Sequence, residues 1–305
     1  MTEPSESTLA GPVTRGGLLA LRGRDVLEVL HRVSTNALLD LAVGEARGTL
    51  WCDFRGRLQH RAVVARGSDG TVWLARDDAD GATLAAFIDK HVFREDVQIS
   101  DRSGALGVSA EWSDHAHGTL LERDGVPLSM RAARGPELRV IPIDAESPRG
   151  MGALFGAASG SAKLDHVVRI AHGWPAHGHE IVEAFHPLEA NLGDEVHLDK
   201  GCFTGQETLQ RLVTYGSVRR RLVRVAGNGM TPITPLELQS GDQRIGVLTS
   251  AIADSSASGS WRGLAILKHE AIGHGSVAAG ADGEAMRFER LPLARPAGRP
   301  WAIED

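Results

Sequence analysis

The residues best suited to do chemistry lie in one short run, residues 200–207, whose sequence is KGCFTGQE. Thr204 and Glu207 have the spacing of a capping box, which predicts that a helix begins at the residue after Thr204. Cys202 would then lie just ahead of a helix N-terminus, two residues from the Lys200 ammonium. Both positive charges favour thiolate over thiol, so the run predicts a reactive Cys202 with Lys200 as its supporting cation. A small buried cysteine in a helix-entry turn is the alternative that the residues leave open.

Motifs for other chemistries do not fit. The chain contains neither a phosphate-binding P-loop nor a dinucleotide-binding glycine fingerprint. His269 and His274 are five residues apart, so on a helix they would diverge by roughly 140° and could not share a zinc ion. A further group of histidines has no recognised ligand spacing. Its members are His172, His177, His179, His186 and His197. We therefore predict no metal site.

The elements that must position the cysteine run follow from hydrophobic periodicity. Apolar residues that recur at helical spacing predict helices over 24–33, 84–92 and 164–171. Alternating residues predict a hairpin in which strands 49–54 and 58–64 flank a turn.

The chain changes character after residue 221. Short strand-like runs separated by Gly, Pro, Asp and Ser predict a small barrel or sandwich there, with the main boundary near residue 221. These runs are 222–225, 236–238, 244–249, 263–267 and 285–288. Two short strands are also predicted before the boundary, at 97–99 and 138–143.

Length and composition limit the class of protein. A chain of 305 residues with 42% hydrophobic and 24% charged residues suggests about two globular domains. With 33 basic against 39 acidic residues the net charge is −6, so nucleic-acid binding is not expected. No apolar run reaches ~18 residues, and the first residues lack the pattern of a secretion signal. Two cysteines are too few for a disulfide scaffold, so we predict a cytoplasmic protein that has no membrane contact.

The run at 200–207 resembles the signature octapeptide of the YgfZ-type folate-binding proteins. These proteins are relatives of the glycine-cleavage T-protein, an aminomethyltransferase. Other stretches resemble landmarks of the same family, and they lie at 21–25, 33–36, 169–180 and 187–190. The resemblance implies an α+β fold that forms a ring of three subdomains. Two intertwined α+β units would occupy residues 14–221, and a C-terminal β-barrel would occupy residues 222–305.

The resemblance also implies a ligand, tetrahydrofolate or a related folate, bound at the central opening of the ring. Glu180 stands where the T-protein has the glutamate that grips the pterin, and a carboxylate suits that task because it accepts two parallel N–H bonds. Gln206 and Arg211 are candidates to face the folate, although a helix start and an ion pair one turn away explain them as well. Trp51 and Trp174 are candidates to stack on the pterin, with core packing as the alternative.

YgfZ-type proteins support the assembly or repair of iron–sulfur clusters, including those of radical enzymes that modify tRNA. The resemblance therefore implies a folate-binding accessory factor in which Cys202 carries thiol chemistry and iron–sulfur enzymes or assembly proteins are partners. The first alternative is a folate-dependent one-carbon transferase or demethylase. That chemistry needs the acidic pair of the aminomethyltransferases, whereas residues 56–63 contain no Asp or Glu and offer His60 as a base by position alone. The second alternative is a binding scaffold with an inert cysteine, so the sequence leaves open whether the protein is an enzyme.

Overall fold

The computed structural model describes residues 16–112, 117–143, 162–273, 278–279 and 285–301. The helices in these ranges are α1 (Val26–Val33), α2 (Gly81–Asp89), α3 (Ala162–His172), α4 (Gln206–Thr214) and α5 (His269–Gly273). The predicted helices over 24–33, 84–92 and 164–171 are therefore found as α1, α2 and α3, with shifted ends. His274 lies outside the described residues. None of the helices in the described ranges is long and apolar enough to cross a membrane.

The first sheet is antiparallel and has the strand order β2-β3-β4-β1-β5. Its strands are β1 (Leu18–Arg22), β2 (Ala46–Cys52), β3 (Leu58–Arg66), β4 (Val72–Ala75) and β5 (Gln98–Asp101). The predicted hairpin is the β2–β3 pair, in which Trp51 lies opposite His60. Helices α1 and α2 pack their apolar faces against one side of this sheet.

The second sheet is also antiparallel and has the strand order β6-β9-β8-β7. Its strands are β6 (Leu106–Glu111), β7 (Thr119–Arg123), β8 (Val126–Arg131) and β9 (Glu137–Pro142). Its apolar side packs against the face of the first sheet that the helices leave free, where Met130 and Leu138 meet Val63 and Trp73. The result is an α+β body in which the first sheet is covered on both faces.

The segment after α3 builds a third apolar cluster beside the β2–β3 hairpin. Leu209 and Val213 of α4 pack there with Leu58 and Leu188. A short 3₁₀ helix, Gly193–Glu195, lies against β2. This packing fixes α4, and with it the cysteine run, beside the hairpin.

The last strands form a closed barrel with the order β10-β13-β12-β11-β14-β15. They are β10 (Arg220–Asn228), β11 (Leu236–Ser240), β12 (Gln243–Ala253), β13 (Ser260–Lys268), β14 (Ala278–Ala279) and β15 (Ala285–Arg290). After the barrel the chain returns to the α+β body, where Ala297 exchanges backbone hydrogen bonds with Val196 and Leu198. The barrel is thus tied to the body at both of its ends.

Candidate functional site

The cysteine run forms an irregular loop that leads into α4. The helix begins at Gln206, and its N-cap is Gly205, which has a φ of 83° and makes no side-chain cap. The predicted capping box of Thr204 and Glu207 is therefore wrong. Gly205 lies against the β2–β3 turn, where an added Cβ would come within 2.6 Å of the Asp53 carbonyl oxygen. This contact requires glycine at the N-cap, and it places Thr204 outside the helix.

Arg211 lies on the exposed surface of α4, and Gln206 lies in the first turn of this helix. Arg211 forms an ion pair with Glu207, and both side chains are mostly exposed. Gln206 is half-buried, and its amide donates to the Leu198 carbonyl oxygen at 3.0 Å. Gln210, one turn later, donates to the same oxygen at 3.1 Å. These contacts hold the loop to the helix, and a role of Gln206 or Arg211 toward folate stays a prediction.

Lys200 is held by α1. Its ammonium donates to the His31 carbonyl oxygen and lies 5.1 Å from the centre of the Phe203 ring. His31 in turn donates from Nε2 to the Lys200 carbonyl oxygen at 2.7 Å, because its Nδ1 accepts from the Leu38 amide. Burial lowers the pKa of Lys200 to about 8. The contacts of Lys200 therefore anchor the loop to α1. Its support of the Cys202 thiolate stays a prediction, because the ammonium contacts His31 and Phe203 instead.

The two cysteines are free thiols in opposite environments. Cys202 is exposed on the loop, whereas Cys52 is buried at the end of β2. Burial raises the pKa of the Cys52 thiol well above its usual range. Cys202 therefore carries the accessible sulfur, and Cys52 behaves as a small apolar core residue.

Glu180 is fully buried in a hydrogen-bond network that joins the α+β body to the barrel. One carboxylate oxygen accepts from Arg169 Nη1 and from the Ala176 amide, both at 3.1 Å. The other accepts from Thr249 Oγ1 at 2.5 Å and from Ser250 Oγ at 2.6 Å. Three acceptor positions of the carboxylate are engaged, and at the fourth the single Thr249 proton is shared with the Leu264 carbonyl oxygen at 2.9 Å. Its predicted grip on a pterin would require one of these bonds to be replaced.

The two candidate tryptophans are packed within the protein. Trp51 is fully buried in the core beneath α1 and α2. Trp174 is 4% exposed and lies between two guanidinium groups, with Arg61 at 4.7 Å and Arg134 at 5.0 Å from its ring centre. Arg61 is itself buried in an ion pair with Glu195. Neither ring offers a free face in this conformation, which favours the core-packing alternative.

A polar cluster that the sequence did not predict lies where the first sheet, the 174–180 turn and the barrel meet. We call it the histidine junction, and its members are His60, Arg76, Asp78, His166, His177 and His179. Asp78 accepts from the His177 amide at 2.6 Å and from its Nδ1 at 2.7 Å. His177 Nε2 accepts from the Arg61 amide, so this imidazole is neutral. Burial alone would raise the pKa of Asp78, but the two hydrogen bonds from His177 outweigh it and hold that pKa below its usual range.

The remaining imidazoles of the histidine junction have defined tautomers. His166 Nδ1 accepts from the Arg169 guanidinium at 3.2 Å, so its proton lies on Nε2. His179 Nδ1 donates to the Thr249 carbonyl oxygen at 3.1 Å, which leaves Nε2 as an acceptor. The two rings are 5.2 Å apart. Burial lowers the pKa of His166 to about 4, so this ring is neutral at physiological pH. The pair therefore presents one donor and one acceptor.

A separate cleft of about 200 Å³ opens between β2 and the second sheet, and Arg47, Arg134 and Asp194 are among its lining residues. Arg134 pairs with Asp194, and Arg47 pairs with Asp40 and Glu45. These charged side chains are already paired within the protein. The cleft therefore has fewer polar groups available to a ligand than the histidine junction has.

Sequence reasoning missed the histidine junction because its members are far apart in the chain. His177 and Asp78 are separated by 99 positions, and Arg169 reaches Ser250 across 81. The sequence did show several histidines close together after position 171, but none at a spacing that indicates a shared site.

The comparisons with known proteins agree with this fold. No protein-family model matches the chain. A chloroplastic protein of Arabidopsis thaliana, named as a transferase, is 36% identical over 130 residues, which cover 42% of this chain and 29% of that protein. The tRNA-modifying protein YgfZ of Sodalis glossinidius is 25% identical over 77% of both chains. The aminomethyltransferase of Symbiobacterium thermophilum is 26% identical over 242 residues, which cover 68% of this chain and 64% of that protein.

A solved structure shows the same architecture. The aminomethyltransferase T of the glycine cleavage system from Bartonella henselae superposes with a TM-score of 0.71 at 15% identity, covering 94% of this chain and 86% of that one. The fold and the sequence relatives place the chain in the aminomethyltransferase superfamily. Together, the YgfZ match over most of both chains, the aminomethyltransferase relatives and this shared fold support a YgfZ-type member of that superfamily.

Proposed function

We propose that this protein binds a folate and supports the assembly or repair of iron–sulfur clusters through Cys202. The observation that carries the proposal is an exposed thiol on a loop held in place by α1, α4 and the β2–β3 hairpin. The likeness to a tRNA-modifying YgfZ protein supports the same reading.

The histidine junction fits a folate better than Glu180 does. Three acceptor positions of Glu180 are taken by Arg169, the Ala176 amide and Ser250, whereas His166 and His179 keep one donor and one acceptor beside it. A heterocycle with both donors and acceptors on its edges matches that pair. We therefore assign the pterin to the histidine junction, with His166 and His179 as its first contacts. When bound, folate supplies a carrier for one-carbon groups.

Cys202 would act as a transient iron ligand. Its thiol loses a proton to solvent, and the thiolate sulfur binds one iron of a client cluster. A cluster takes about four ligands, so a single cysteine cannot hold it and the client must supply the others. This requirement explains why an exposed thiol suits the task and the buried Cys52 does not.

One-carbon transfer is the weaker candidate because the site lacks a free base. Among the carboxylates near the histidine junction, Asp78 gives both of its oxygens to His177, and Asp80 accepts from the Thr83 amide at the start of α2. His60 has a pKa lowered to about 4 by burial, which makes it a poor base at neutral pH.

A complementation experiment tests the proposal. The gene is deleted in its host, and the activities of aconitase and succinate dehydrogenase are measured after return of the wild-type gene, of Cys202→Ser or of Cys52→Ser. We expect the wild type and Cys52→Ser to restore both activities, and Cys202→Ser to restore less than about a tenth. Full rescue by Cys202→Ser would show that the sulfur is not required. Unchanged activities in the deletion strain would contradict the iron–sulfur role itself.

A further inference from the structure

The exposed Cys202 lies between two anchoring residues of its loop. On one side Phe203 is 8% exposed and packs in the apolar cluster beside the β2–β3 hairpin. On the other side Lys200 is held by α1. Between them, a Cβ added at Gly201 would have no atom of the described residues within 4 Å, and Cys202 is exposed. Core packing therefore holds the loop after Cys202, and polar contacts with α1 hold it before Cys202.

The ammonium of Lys200 completes the end of α1. The last carbonyl groups of a helix have no partner within it, and α1 ends at Val33. The Leu30 carbonyl oxygen accepts from the Ser34 amide at 3.0 Å and from the Ser34 hydroxyl at 2.7 Å. The His31 carbonyl oxygen accepts from Lys200, whose positive charge suits the negative end of the helix. This bond fixes the side chain of Lys200.

The His31 side chain fixes the main chain of the same residue. Its Nδ1 accepts from the Leu38 amide at 3.0 Å, and its Nε2 donates to the Lys200 carbonyl oxygen at 2.7 Å. Burial lowers the pKa of His31, which favours the neutral imidazole that this pattern requires. The imidazole therefore links α1, the turn after α1 and the loop, at a point two residues before Cys202.

Thr35, in the turn after α1, holds the chain further upstream of the cysteine. Its hydroxyl donates to the Glu195 carbonyl oxygen at 2.7 Å, and its carbonyl oxygen accepts from the His197 amide at 2.9 Å. Its own amide donates to the Leu50 carbonyl oxygen of β2 at 2.9 Å. The end of α1 and its turn thus form a frame for residues 195–200. Among the hydrogen bonds of this frame to the main chain, the one from His31 lies nearest to Cys202 in sequence.

We propose that His31 is a positioning residue for Cys202: its Nε2 donor holds the main chain at Lys200 and keeps the exposed thiol in a defined place. A thiol that is already ordered loses less conformational freedom when it binds an iron ion of a client. This consequence for iron–sulfur clusters rests on the proposed function. The ordering of the loop rests on the contacts of His31 alone.

A nitroxide spin label attached to Cys202 of the full chain measures this order, since Cys52 is buried and stays unlabelled. Two conservative variants separate the nitrogens of His31. In His31→Gln an amide nitrogen can replace Nε2 and keep the bond to Lys200. In His31→Asn the shorter amide can still accept from Leu38 but does not reach Lys200. His31→Leu loses both bonds.

We expect the rotational correlation time of the label to shorten about two-fold or more in His31→Asn and His31→Leu, because the loop gains motion on the nanosecond timescale. His31→Gln should keep the wild-type spectrum. The control His117→Leu should keep it as well, because His117 is exposed just before β7. In the deletion strain, His31→Gln should restore aconitase activity about 10-fold better than His31→Asn. A role in the stability of α1 alone predicts the opposite order, since His31→Asn keeps the contact with Leu38.

The outcomes separate this role from the proposed function. Wild-type mobility of the label in His31→Asn, or equal mobility in His31→Gln and His31→Leu, would overturn the positioning role. If His31→Leu does not fold, the comparison of the Gln and Asn variants decides. Equal recovery of aconitase activity by those two variants would overturn the consequence for iron–sulfur clusters. If Cys202→Ser restores the iron–sulfur enzymes, the proposed function fails, and the label spectra still decide whether His31 orders the loop.

Discussion

At the scale of single residues, Lys200 anchors the loop through a hydrogen bond, while burial of its charge lowers the stability of the folded protein. Its ammonium donates to α1 while burial lowers its pKa to about 8. In the unfolded chain the pKa of a lysine is about 10.4. Between the folded and unfolded pKa values, the unfolded chain therefore binds more protons than the folded chain. The free energy of unfolding should therefore rise as the pH increases from about 8 to about 10. The cost of burying the charge is fully present below pH 8.

We expect Lys200→Met to remove this rise while keeping the packing on Phe203. Allowing for the partial exposure of Lys200, the wild type should gain about 1 kcal/mol relative to the variant between about pH 8 and about pH 9.5. Denaturant titrations at several pH values measure the difference. Lys90→Met, at an exposed position, should instead follow the wild-type curve. If the free energy of unfolding changes with pH in the same way in Lys200→Met and in the wild type, the pKa of Lys200 is not lowered by burial.

At the scale of elements, the N-terminus of α4 depends on Gly205. The residue has a φ of 83°, and a Cβ there would meet the backbone of the β2–β3 turn at 2.6–2.9 Å. Gly205→Ala should lower the free energy of unfolding by about 2 kcal/mol or more, through backbone strain and collision together. Gly201 is the matched control because it has a φ of 108° but no atom within 4 Å of an added Cβ.

Gly201→Ala should therefore lower the free energy of unfolding through backbone strain alone, by about 1–2 kcal/mol. Chemical denaturation of both variants separates the two contributions, and the rate of Cys202 alkylation reports on the loop. If both variants lose equal stability, the contact between Gly205 and the hairpin does not hold the loop.

The elements also show what local sequence can and cannot predict. The periodicity of α1 is complete within eight residues, so its helix was predictable, and the hairpin was predictable from alternation. β1 and β4 were missed because nearly every residue in them is buried, which leaves no alternation to detect. The capping box failed because a contact with a turn about 150 positions away decided the N-cap. The same kind of long-range contact builds the histidine junction.

At the scale of the whole molecule, Glu180 joins the body and the barrel. Its carboxylate bonds Arg169 of α3 and the hydroxyls of Thr249 and Ser250 on β12. Removing the charge would leave Arg169 buried and unpaired, and breaking one partner of a buried pair typically costs about 3–5 kcal/mol. We expect Glu180→Gln to lower the free energy of unfolding by about 3 kcal/mol. Glu237→Gln, in an exposed barrel pair, should change it by less than about 0.5 kcal/mol.

The same variant decides between the two roles of this carboxylate. If Glu180 only clamps the body to the barrel, Glu180→Gln should lower the free energy of unfolding. Its folate affinity should be preserved at temperatures where the variant is still folded. A pterin-gripping carboxylate predicts that folate affinity is lost as well, because the ligand would replace the bonds to Thr249 and Ser250 when it binds. Measuring unfolding and folate titration on the same preparation distinguishes them. Loss of folate affinity in the folded variant would assign the pterin to Glu180 instead of His166 and His179.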